Sequence, residues 1–231
     1  MGFKCVVCGV DNCEPFFVKE TGYFRCVECG AIFMDPKFRQ TPEKQKERYL
    51  KHNNTLENKG YVEFLESFIK PVITYVSSSC GKWGKISKIL DYGSGPEPVL
   101  VQLLERYKTN GELSCGCEVR GWDPFFAPDV PFFEGGADLV TCLEVAEHFE
   151  TPAEDFERLA SCVRAGGFLA VGTMLVPSGG VEAFKNWWYR SDVTHVSFYT
   201  EKALRTVAAK NGLAWDALLT ERCFLFRKIP F

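Results

Sequence analysis

Two cysteine pairs near the start of the chain have the spacing of a metal site. Cys5 and Cys8 form one C-x-x-C pair, Cys26 and Cys29 form the other, and a glycine follows each pair. This pattern predicts a tetrahedral four-thiolate site, in which the glycines permit the turns that direct backbone N–H groups at the sulfurs. Such a closed site leaves no position for a substrate, so the predicted zinc is structural. Rubredoxin-like iron is the alternative metal, a disulfide framework is the alternative to a metal, and Cys13 is a spare thiol that could replace one ligand.

A second group of residues able to do chemistry lies near the middle of the chain. Glu144, Glu147 and His148 are spaced three and four residues apart, which places them on one face if the segment forms a helical turn. Two carboxylates and an imidazole can bind a divalent metal, or they can act as acid and base. The structural alternative is that these side chains line a pocket and hold its loop by hydrogen bonds.

An aromatic segment farther along the chain supplies a third group. Within residues 187–199, the polar residues Arg190, Asp192 and His195 are interspersed among tryptophans and tyrosines. An apolar surface with a few oriented polar groups is typical of a small-molecule pocket. His195 could accept a proton from a hydroxyl group, with Asp192 holding the imidazole in the required tautomer. In the alternative interpretation, both side chains only fix the loop to the core.

The element predicted to position these groups is a strand followed by a glycine turn and a helix. The apolar residues Ile89 and Leu90 lead to Asp91, and Gly93 and Gly95 form the turn. The helical pattern that follows has one apolar face, formed by Val99, Leu100, Leu103, Leu104 and Tyr107. This order of elements makes a ligand site at the carboxyl end of the first strand of an open α/β sheet.

The residues around the turn indicate which ligand the site takes. A dinucleotide fingerprint needs a small third residue where this chain has Pro98, and Glu97 would repel a pyrophosphate at the helix N-terminus. Asp91 favours a cationic ligand, and S-adenosylmethionine, which carries a sulfonium and an ammonium group, meets both conditions. The next predicted strand ends in Asp123, whose carboxylate can accept hydrogen bonds from both ribose hydroxyls. A turn aspartate before Pro124 is the alternative role.

Three segments carry a family resemblance. Residues 90–95, Leu-Asp-Tyr-Gly-Ser-Gly, resemble the first motif of class I S-adenosylmethionine-dependent methyltransferases. Residues 143–149, Leu-Glu-Val-Ala-Glu-His-Phe, resemble the fourth motif of the ubiquinone-biosynthesis-type members, and residues 163–167 resemble a family turn, with alanine where proline is usual. The resemblance covers nearly the whole chain. It implies a Rossmann-like α/β fold with a seven-stranded sheet that is closed by an antiparallel pair near the C-terminus.

The resemblance also implies roles for the site residues. The first motif would hold the methionine part of S-adenosylmethionine, Asp123 its ribose, and Phe125 with Phe126 would flank the adenine. The residues expected to bind the cofactor are Asp91, Tyr92, Gly93, Ser94, Gly95, Asp123, Pro124, Phe125, Glu144 and Val145. The candidate catalytic residues are Glu147, His148, Asp192 and His195.

Composition limits the class of protein. A length of 231 residues with 46% apolar residues suffices for one α/β domain with a small addition. The net charge of −3, without a long basic run, makes a nucleic-acid partner unlikely. No apolar stretch is long enough for a membrane span, and the N-terminus has no apolar signal core. With several of its eleven cysteines in apolar runs, the chain is expected in the reducing cytoplasm.

The predicted organisation has three parts: a zinc ribbon at residues 1–40, a helical lid and linker at 41–80, and the S-adenosylmethionine-binding domain at 81–231. One lid helix is predicted to start at Thr41 and a second to cover residues 60–75. The third strand of the sheet is poorly marked and is placed at residues 130–133.

The sequence thus predicts an enzyme that transfers a methyl group from S-adenosylmethionine to a small molecule, at oxygen. One alternative is an RNA or protein methyltransferase that docks through the ribbon. A zinc-stabilised binding module without catalytic activity is the other.

Overall fold

The computed structural model describes residues 3–79 and 86–230. The predicted boundary between lid and cofactor domain, at residues 80 and 81, lies outside these residues. The strands are β1 (Cys13–Val18), β2 (Thr21–Cys26), β3 (Ile32–Met34), β4 (Lys88–Tyr92), β5 (Glu118–Trp122), β6 (Ala137–Leu143), β7 (Val163–Gly172), β8 (Ser197–Phe198), β9 (Leu213–Thr220) and β10 (Cys223–Lys228). The helices are α1 (Pro42–Tyr49), α2 (Lys59–Ser79), α3 (Val99–Thr109), α4 (Pro152–Cys162), α5 (Gly180–Asn186) and α6 (Glu201–Lys210).

The main sheet has the strand order β5-β4-β6-β7-β10-β9. The neighbours β5, β4, β6 and β7 pair in parallel, and β10 runs antiparallel to both β7 and β9. The predicted α/β fold is therefore confirmed, together with the antiparallel pair near the C-terminus. Because the chain leaves β4 toward β5 and then returns to β6 on its other side, the strand order reverses at β4. A ligand cleft is expected at this point of such a sheet.

Alternate residues of the parallel strands face two different layers. Ile89 and Leu139 pack in a cluster with α2 and α3, whereas Leu90 and Val140 pack in a cluster with α4 and α6. Side chains of a strand alternate between its faces, so a sheet covered on both sides needs apolar residues at consecutive positions. This requirement explains why β4 and β6 are nearly continuous apolar runs in the sequence.

The sheet contains six strands in the described residues, rather than the seven that the resemblance implied. The predicted third strand, at residues 130–133, does not form. Pro131 has no N–H group to donate, and the Arg120 guanidinium donates to the carbonyls of Pro131 and Phe132 at 2.9 and 3.3 Å. A side chain thus takes the backbone groups that a strand pairing would need.

Helix α2 extends beyond the predicted range of 60–75 in both directions, and Pro71 lies inside it without ending it. Val72 and Val76, which follow the proline, are fully buried. Their packing against the sheet offsets the hydrogen bond that proline removes from a helix. Within the two described ranges, every helix is too short or too polar to span a membrane.

The cysteine-rich segment, called the ribbon below, comprises β1, β2, β3 and the two cysteine turns. It packs on the α4 and α6 side of the main sheet, where Cys8 and Phe24 share a hydrophobic cluster with Leu204 and Phe224. The ribbon strands continue into β8 of the rest of the chain, in the order β1-β2-β3-β8. The ribbon is therefore joined to the rest of the protein by backbone pairing as well as by side-chain packing. The boundaries between the three predicted parts stay a prediction.

Candidate active site

A cavity of about 660 Å³ opens at the carboxyl ends of β4, β5 and β6, beneath α1 and α2. All the residues expected to bind the cofactor line this cavity: Asp91, Tyr92, Gly93, Ser94, Gly95, Asp123, Pro124, Phe125, Glu144 and Val145. Of the candidate catalytic residues, His148 and His195 line it, whereas Glu147 and Asp192 do not. The sheet therefore brings together, in one space, segments that are far apart in the sequence.

The turn after β4 has the backbone that only glycine adopts easily. Gly93 has φ of +83° and Gly95 has φ of +72°. The N–H groups of Gly93 and Ser94 donate to the Trp122 carbonyl at 2.7 and 3.1 Å, which fixes the end of β4 to the end of β5. A Cβ atom on Gly93 would lie 2.4 Å from Val145 Cγ2, whereas one on Gly95 would meet no atom within 4 Å. The cavity thus has open space beside Gly95.

Asp91 forms the floor of the cavity at the end of β4. It is buried, and the Thr141 hydroxyl donates to its Oδ1 at 2.9 Å. Burial raises the pKa of Asp91 to about 7, and the negative charge of Asp123 acts in the same direction. A bound cation would compensate both effects, so this carboxylate is poised to hold one.

Asp123 lies at the end of β5 and organises the backbone around it. Its Oδ2 accepts from the Gly95 N–H at 3.0 Å, and its Oδ1 accepts from the N–H groups of Phe125 and Phe126 at 2.8 and 3.1 Å. The turn role considered from the sequence is therefore present. A carboxylate has four acceptor positions, and the side chain also lines the cavity, so this contact pattern leaves acceptor capacity for a ligand.

Glu144 departs from the helical arrangement expected from its spacing. Its φ is +52°, so the turn formed by residues 146–148 begins after it, and Glu144 does not share a face with Glu147 and His148 as expected. Its Oε1 is buried without a hydrogen-bond partner. Burial, together with the nearby charge of Glu147, raises the pKa of Glu144 to about 8.

The residues that do come together are Glu147, His148 and His195, whose ligand atoms all lie within 4.8 Å of one another. His148 Nδ1 lies 3.0 Å from the Thr194 carbonyl, and His195 Nδ1 lies 2.7 Å from the Tyr189 carbonyl. A carbonyl can only accept, so in each ring Nδ1 carries the proton and Nε2 carries the lone pair. Burial lowers the pKa of both imidazoles, that of His195 to about 3, so both are neutral at pH 7.

Asp192 has a different role from the one predicted for it. Its Oδ1 accepts from the N–H and hydroxyl groups of Thr194 at 3.0 and 2.6 Å, and its Oδ2 forms an ion pair with Arg48 at 2.6 Å. Although burial opposes it, these hydrogen bonds lower the pKa of Asp192 to about 2. The tautomer of His195 is instead fixed by the Tyr189 carbonyl, and Asp192 fastens α1 to the loop that precedes β8.

Sequence reasoning missed several residues of this region. The Tyr49 ring lies 5.2 Å from the His148 ring, and the Thr173 hydroxyl donates to Glu147 Oε2 at 2.9 Å. Thr173 directly follows β7, and a polar residue after a parallel strand was a signal that could have been used. Arg48 and Tyr49 belong to a polar helix whose sequence gives no such signal.

Four of the ribbon cysteines, Cys5, Cys8, Cys26 and Cys29, form a separate buried cluster. Cys5 Sγ lies 3.7 Å from Cys29 Sγ, and Cys8 Sγ lies 3.5 Å from Cys26 Sγ. Zinc–sulfur bonds of about 2.3 Å in tetrahedral geometry place the sulfurs about 3.8 Å apart, so the arrangement fits this ion. The N–H groups of Cys8 and Cys29 point at Cys5 Sγ and Cys26 Sγ, as predicted for the two turns.

The strand order and the cavity are those expected of a class I methyltransferase. Residues 43–218, most of the chain, match the family described as "Methyltransferase domain". The chain belongs to this family, which confirms the resemblance drawn from the sequence, and the protein is an S-adenosylmethionine-dependent methyltransferase by class. No curated protein matches it in sequence.

Among solved structures, the chain matches several methyltransferases. Magnesium protoporphyrin IX methyltransferase from Synechocystis PCC 6803, solved with bound S-adenosylhomocysteine, is 16% identical; the match covers 81% of this chain and 95% of that one, with a TM-score of 0.47. An O-methyltransferase family protein from Burkholderia thailandensis is 17% identical; the match covers 80% of this chain and 62% of that one, with a TM-score of 0.48. The 1,6-didemethyltoxoflavin N1-methyltransferase of the same organism is 11% identical; the match covers 94% of this chain and 100% of that one, with a TM-score of 0.47.

Proposed function

We propose that this methyltransferase transfers the methyl group of S-adenosylmethionine to a hydroxyl oxygen of a small molecule. One observation carries the proposal: a single cavity joins the glycine turn and the carboxylates of Asp91 and Asp123 to the imidazoles of His148 and His195. A donor bound at the first group and an acceptor bound at the second would meet in that space. Such positioning supplies much of the acceleration of a transfer reaction.

The cofactor side of the cavity suits S-adenosylmethionine in charge and in shape. Asp91, Glu97 and Asp123 line it. Arg158 and Arg222 also line the cavity, but carboxylates outnumber guanidinium groups there, so a ligand with positive charge is favoured over a phosphate. The open space beside Gly95 lets a ligand approach the backbone closely. In this assignment Asp91 faces the cationic part, Asp123 holds the ribose, and Phe125 lies at the adenine.

The acceptor side suits a hydroxyl group. S-adenosylmethionine, when bound, supplies an electrophilic methyl group. The protein's own contribution is to orient the acceptor, exclude water beneath α1, and take up the proton that the hydroxyl loses. His195 Nε2 carries a lone pair at the cavity wall, so this imidazole can receive that proton.

The ribbon is assigned a structural zinc ion on the fit of its four sulfurs. A ribbon that docks a macromolecule should stand free of the active site, whereas this one continues into β8 through β3. The pairing of β3 with β8 therefore favours a structural role for the zinc ion. It also favours a small molecule as the methyl acceptor.

Substituting two glycines tests where the cofactor lies. Gly95 and Gly111 have φ of +72° and +78°, and neither would meet an atom within 4 Å on gaining a Cβ. Each alanine substitution should therefore cost about 1–2 kcal/mol of stability. Only Gly95 lines the cavity, so Gly95→Ala should weaken S-adenosylmethionine binding at least about tenfold and Gly111→Ala less than about twofold.

Calorimetric titration of both variants and thermal unfolding measure these effects. The release of S-adenosylhomocysteine with a panel of alcohols and phenols, compared with amines and thiols, then tests the acceptor class. A wild-type protein that binds no S-adenosylmethionine would refute the proposed function. Transfer to amines or thiols alone would refute only the hydroxyl acceptor.

Cofactor binding should depend on pH through Asp91. Its pKa of about 7 means that half of the unliganded protein has a neutral Asp91 near that pH. A cationic ligand prefers the ionised carboxylate, so affinity should rise with pH and level off above the pKa of Asp91. The rise approaches about tenfold per pH unit well below this pKa.

Titrations with S-adenosylmethionine between about pH 6 and pH 8 measure this dependence. The Asp91→Asn variant is the control, because the ligand's own amine titrates equally in both proteins. The variant should bind more weakly and lose the part of the pH dependence that belongs to Asp91. An identical pH profile in the two proteins would remove Asp91 from the cofactor site.

A further inference from the structure

We propose that Glu147, His148 and His195 bind a divalent first-row transition metal ion at the acceptor side of the cavity. The ligand atoms of the three residues lie within 4.8 Å of one another. This inference deepens the proposed function and rests on it for the role of the ion, which is to hold the acceptor oxygen. The binding site itself stands on the geometry of the three side chains.

The two imidazoles are oriented as metal ligands are. Each donates its Nδ1–H to a backbone carbonyl, of Thr194 for His148 and of Tyr189 for His195. Second contacts of this kind fix the tautomer and the ring orientation of metal-binding histidines. The rings stand edge to face with their centroids 4.8 Å apart, and both line the cavity. Each ring therefore keeps its Nε2 lone pair for a ligand, and that of His195 faces Glu147 Oε1 at 4.0 Å.

Glu147 completes the set from behind the cavity wall. Its side chain is fully buried; Oε2 accepts from Thr173, whereas Oε1 has no hydrogen-bond partner and lies 4.0 Å from His195 Nε2. This distance is too long for a hydrogen bond, so a proton placed between the two atoms would not satisfy both. The Tyr189 hydroxyl, which interacts with the Glu147 carboxylate and lies 3.3 Å from the Thr173 hydroxyl, is one donor near this group. Buried acceptors that face one another are nevertheless costly, and a cation among them satisfies all three.

The donor set selects the kind of ion. Two imidazole nitrogens and one carboxylate oxygen suit manganese, iron, cobalt or zinc, whereas magnesium prefers oxygen ligands alone. Three protein ligands leave coordination positions open toward the cavity, where the acceptor would lie. An ion there would lower the pKa of a coordinated hydroxyl group, so that its proton can leave to solvent and His195 need not act as the base.

The chain contains a matched control for this site, because it has three histidines in all. His52 also lines the cavity but is not part of the cluster; its Nε2 lies 3.9 Å from Asp192 Oδ2. The experiment titrates the full-length protein with Mn²⁺ and follows binding by electron spin resonance and by calorimetry. Mn²⁺ binds thiolates weakly, so it should not occupy the four-cysteine site of the ribbon. The expected result is one bound ion whose spin-echo spectrum shows coupling to imidazole nitrogen.

His148→Ala and Glu147→Gln should each weaken Mn²⁺ binding at least about 30-fold, and His52→Ala should change it less than about twofold. S-adenosylmethionine affinity, measured without metal, should stay within about twofold in all three variants and so shows that they are folded. Failure of the wild type to bind Mn²⁺, bound Mn²⁺ without imidazole coupling, or equal weakening by His52→Ala would overturn the metal site.

Failure of the metal site and failure of the proposed function give different results. If the protein binds S-adenosylmethionine and methylates a hydroxyl acceptor in the presence of a chelator, the metal inference falls and the proposed function stands with His195 as the base. If it binds Mn²⁺ through imidazole but no S-adenosylmethionine, the proposed function falls and the metal site stands.

Discussion

Replacing Cys8 by serine is expected to loosen the acceptor side of the cavity while leaving the cofactor side intact. The ribbon would lose one of the four thiolates of its proposed zinc site, and with it much of the stability of β3. The Met34 N–H donates to the Val196 carbonyl at 2.8 Å, and the Val196 N–H donates to the Glu147 carbonyl at 2.8 Å. His195 directly precedes Val196, so the position of its imidazole depends on this pairing.

Hydrogen exchange read by mass spectrometry measures the effect without an acceptor. In Cys8→Ser, peptides covering residues 194–199 should exchange at least about tenfold faster, whereas peptides covering 88–95 should keep their rates. Cys13→Ser is the matched control, since Cys13 is a ribbon cysteine outside the four-sulfur cluster, and it should leave both regions unchanged. Faster exchange confined to residues 3–34 would contradict the link between ribbon and active site.

The ribbon shows how far local sequence patterns reach. The two cysteine pairs and their glycines sufficed to predict the four-sulfur cluster, because the spacing itself sets the geometry of each turn. The junction with the methyltransferase part could not be predicted. Strand β8 has only two residues, Ser197 and Phe198, and forms because β3 offers it an edge. Such a strand carries no periodicity of its own.

The residues expected to bind the cofactor do line one cavity, because the sequence information that places them is local. A strand end, a glycine turn and an acidic residue are adjacent in the chain, and the parallel sheet brings Asp91 and Asp123 together at one edge. The same reasoning placed the third strand incorrectly. Pro131 has no N–H group to donate, and the Arg120 guanidinium of β5 binds the carbonyls of Pro131 and Phe132. The second of these is a tertiary contact that residues 130–133 do not encode.

On the acceptor side, short spacing in the sequence was misleading. Asp192 and His195 suggested a pair, but the carboxylate turns back on Thr194 and reaches Arg48, which is 144 positions away in the chain. Glu144 was expected to join Glu147 and His148, but its positive φ takes it out of the helical turn. His195 takes its place in the cluster because the loop before β8 carries its imidazole there.

Gly93→Ala is expected to be the most damaging single change on the cofactor side. Its φ of +83° is unfavourable for alanine, and the new Cβ would lie 2.4 Å from Val145 Cγ2. The strain should cost about 1–2 kcal/mol and the overlap about 1–3 kcal/mol, so the free energy of unfolding should fall by about 2–5 kcal/mol. Because Val145 and Gly93 both line the cavity, S-adenosylmethionine affinity should fall at least about 30-fold.

A second substitution separates the two causes of this loss. Val145→Ala removes the Cγ atoms that the new methyl group would strike but leaves the backbone strain, so Gly93→Ala/Val145→Ala should regain about 1–3 kcal/mol relative to Gly93→Ala. The double variant should then resemble Gly111→Ala, which has the strain alone because its Cβ would meet no atom within 4 Å. Chemical denaturation and calorimetric titration of the four variants provide the comparison. If the double variant is as unstable as Gly93→Ala, the close approach of β4 to the segment after β6 is not what requires glycine at this position.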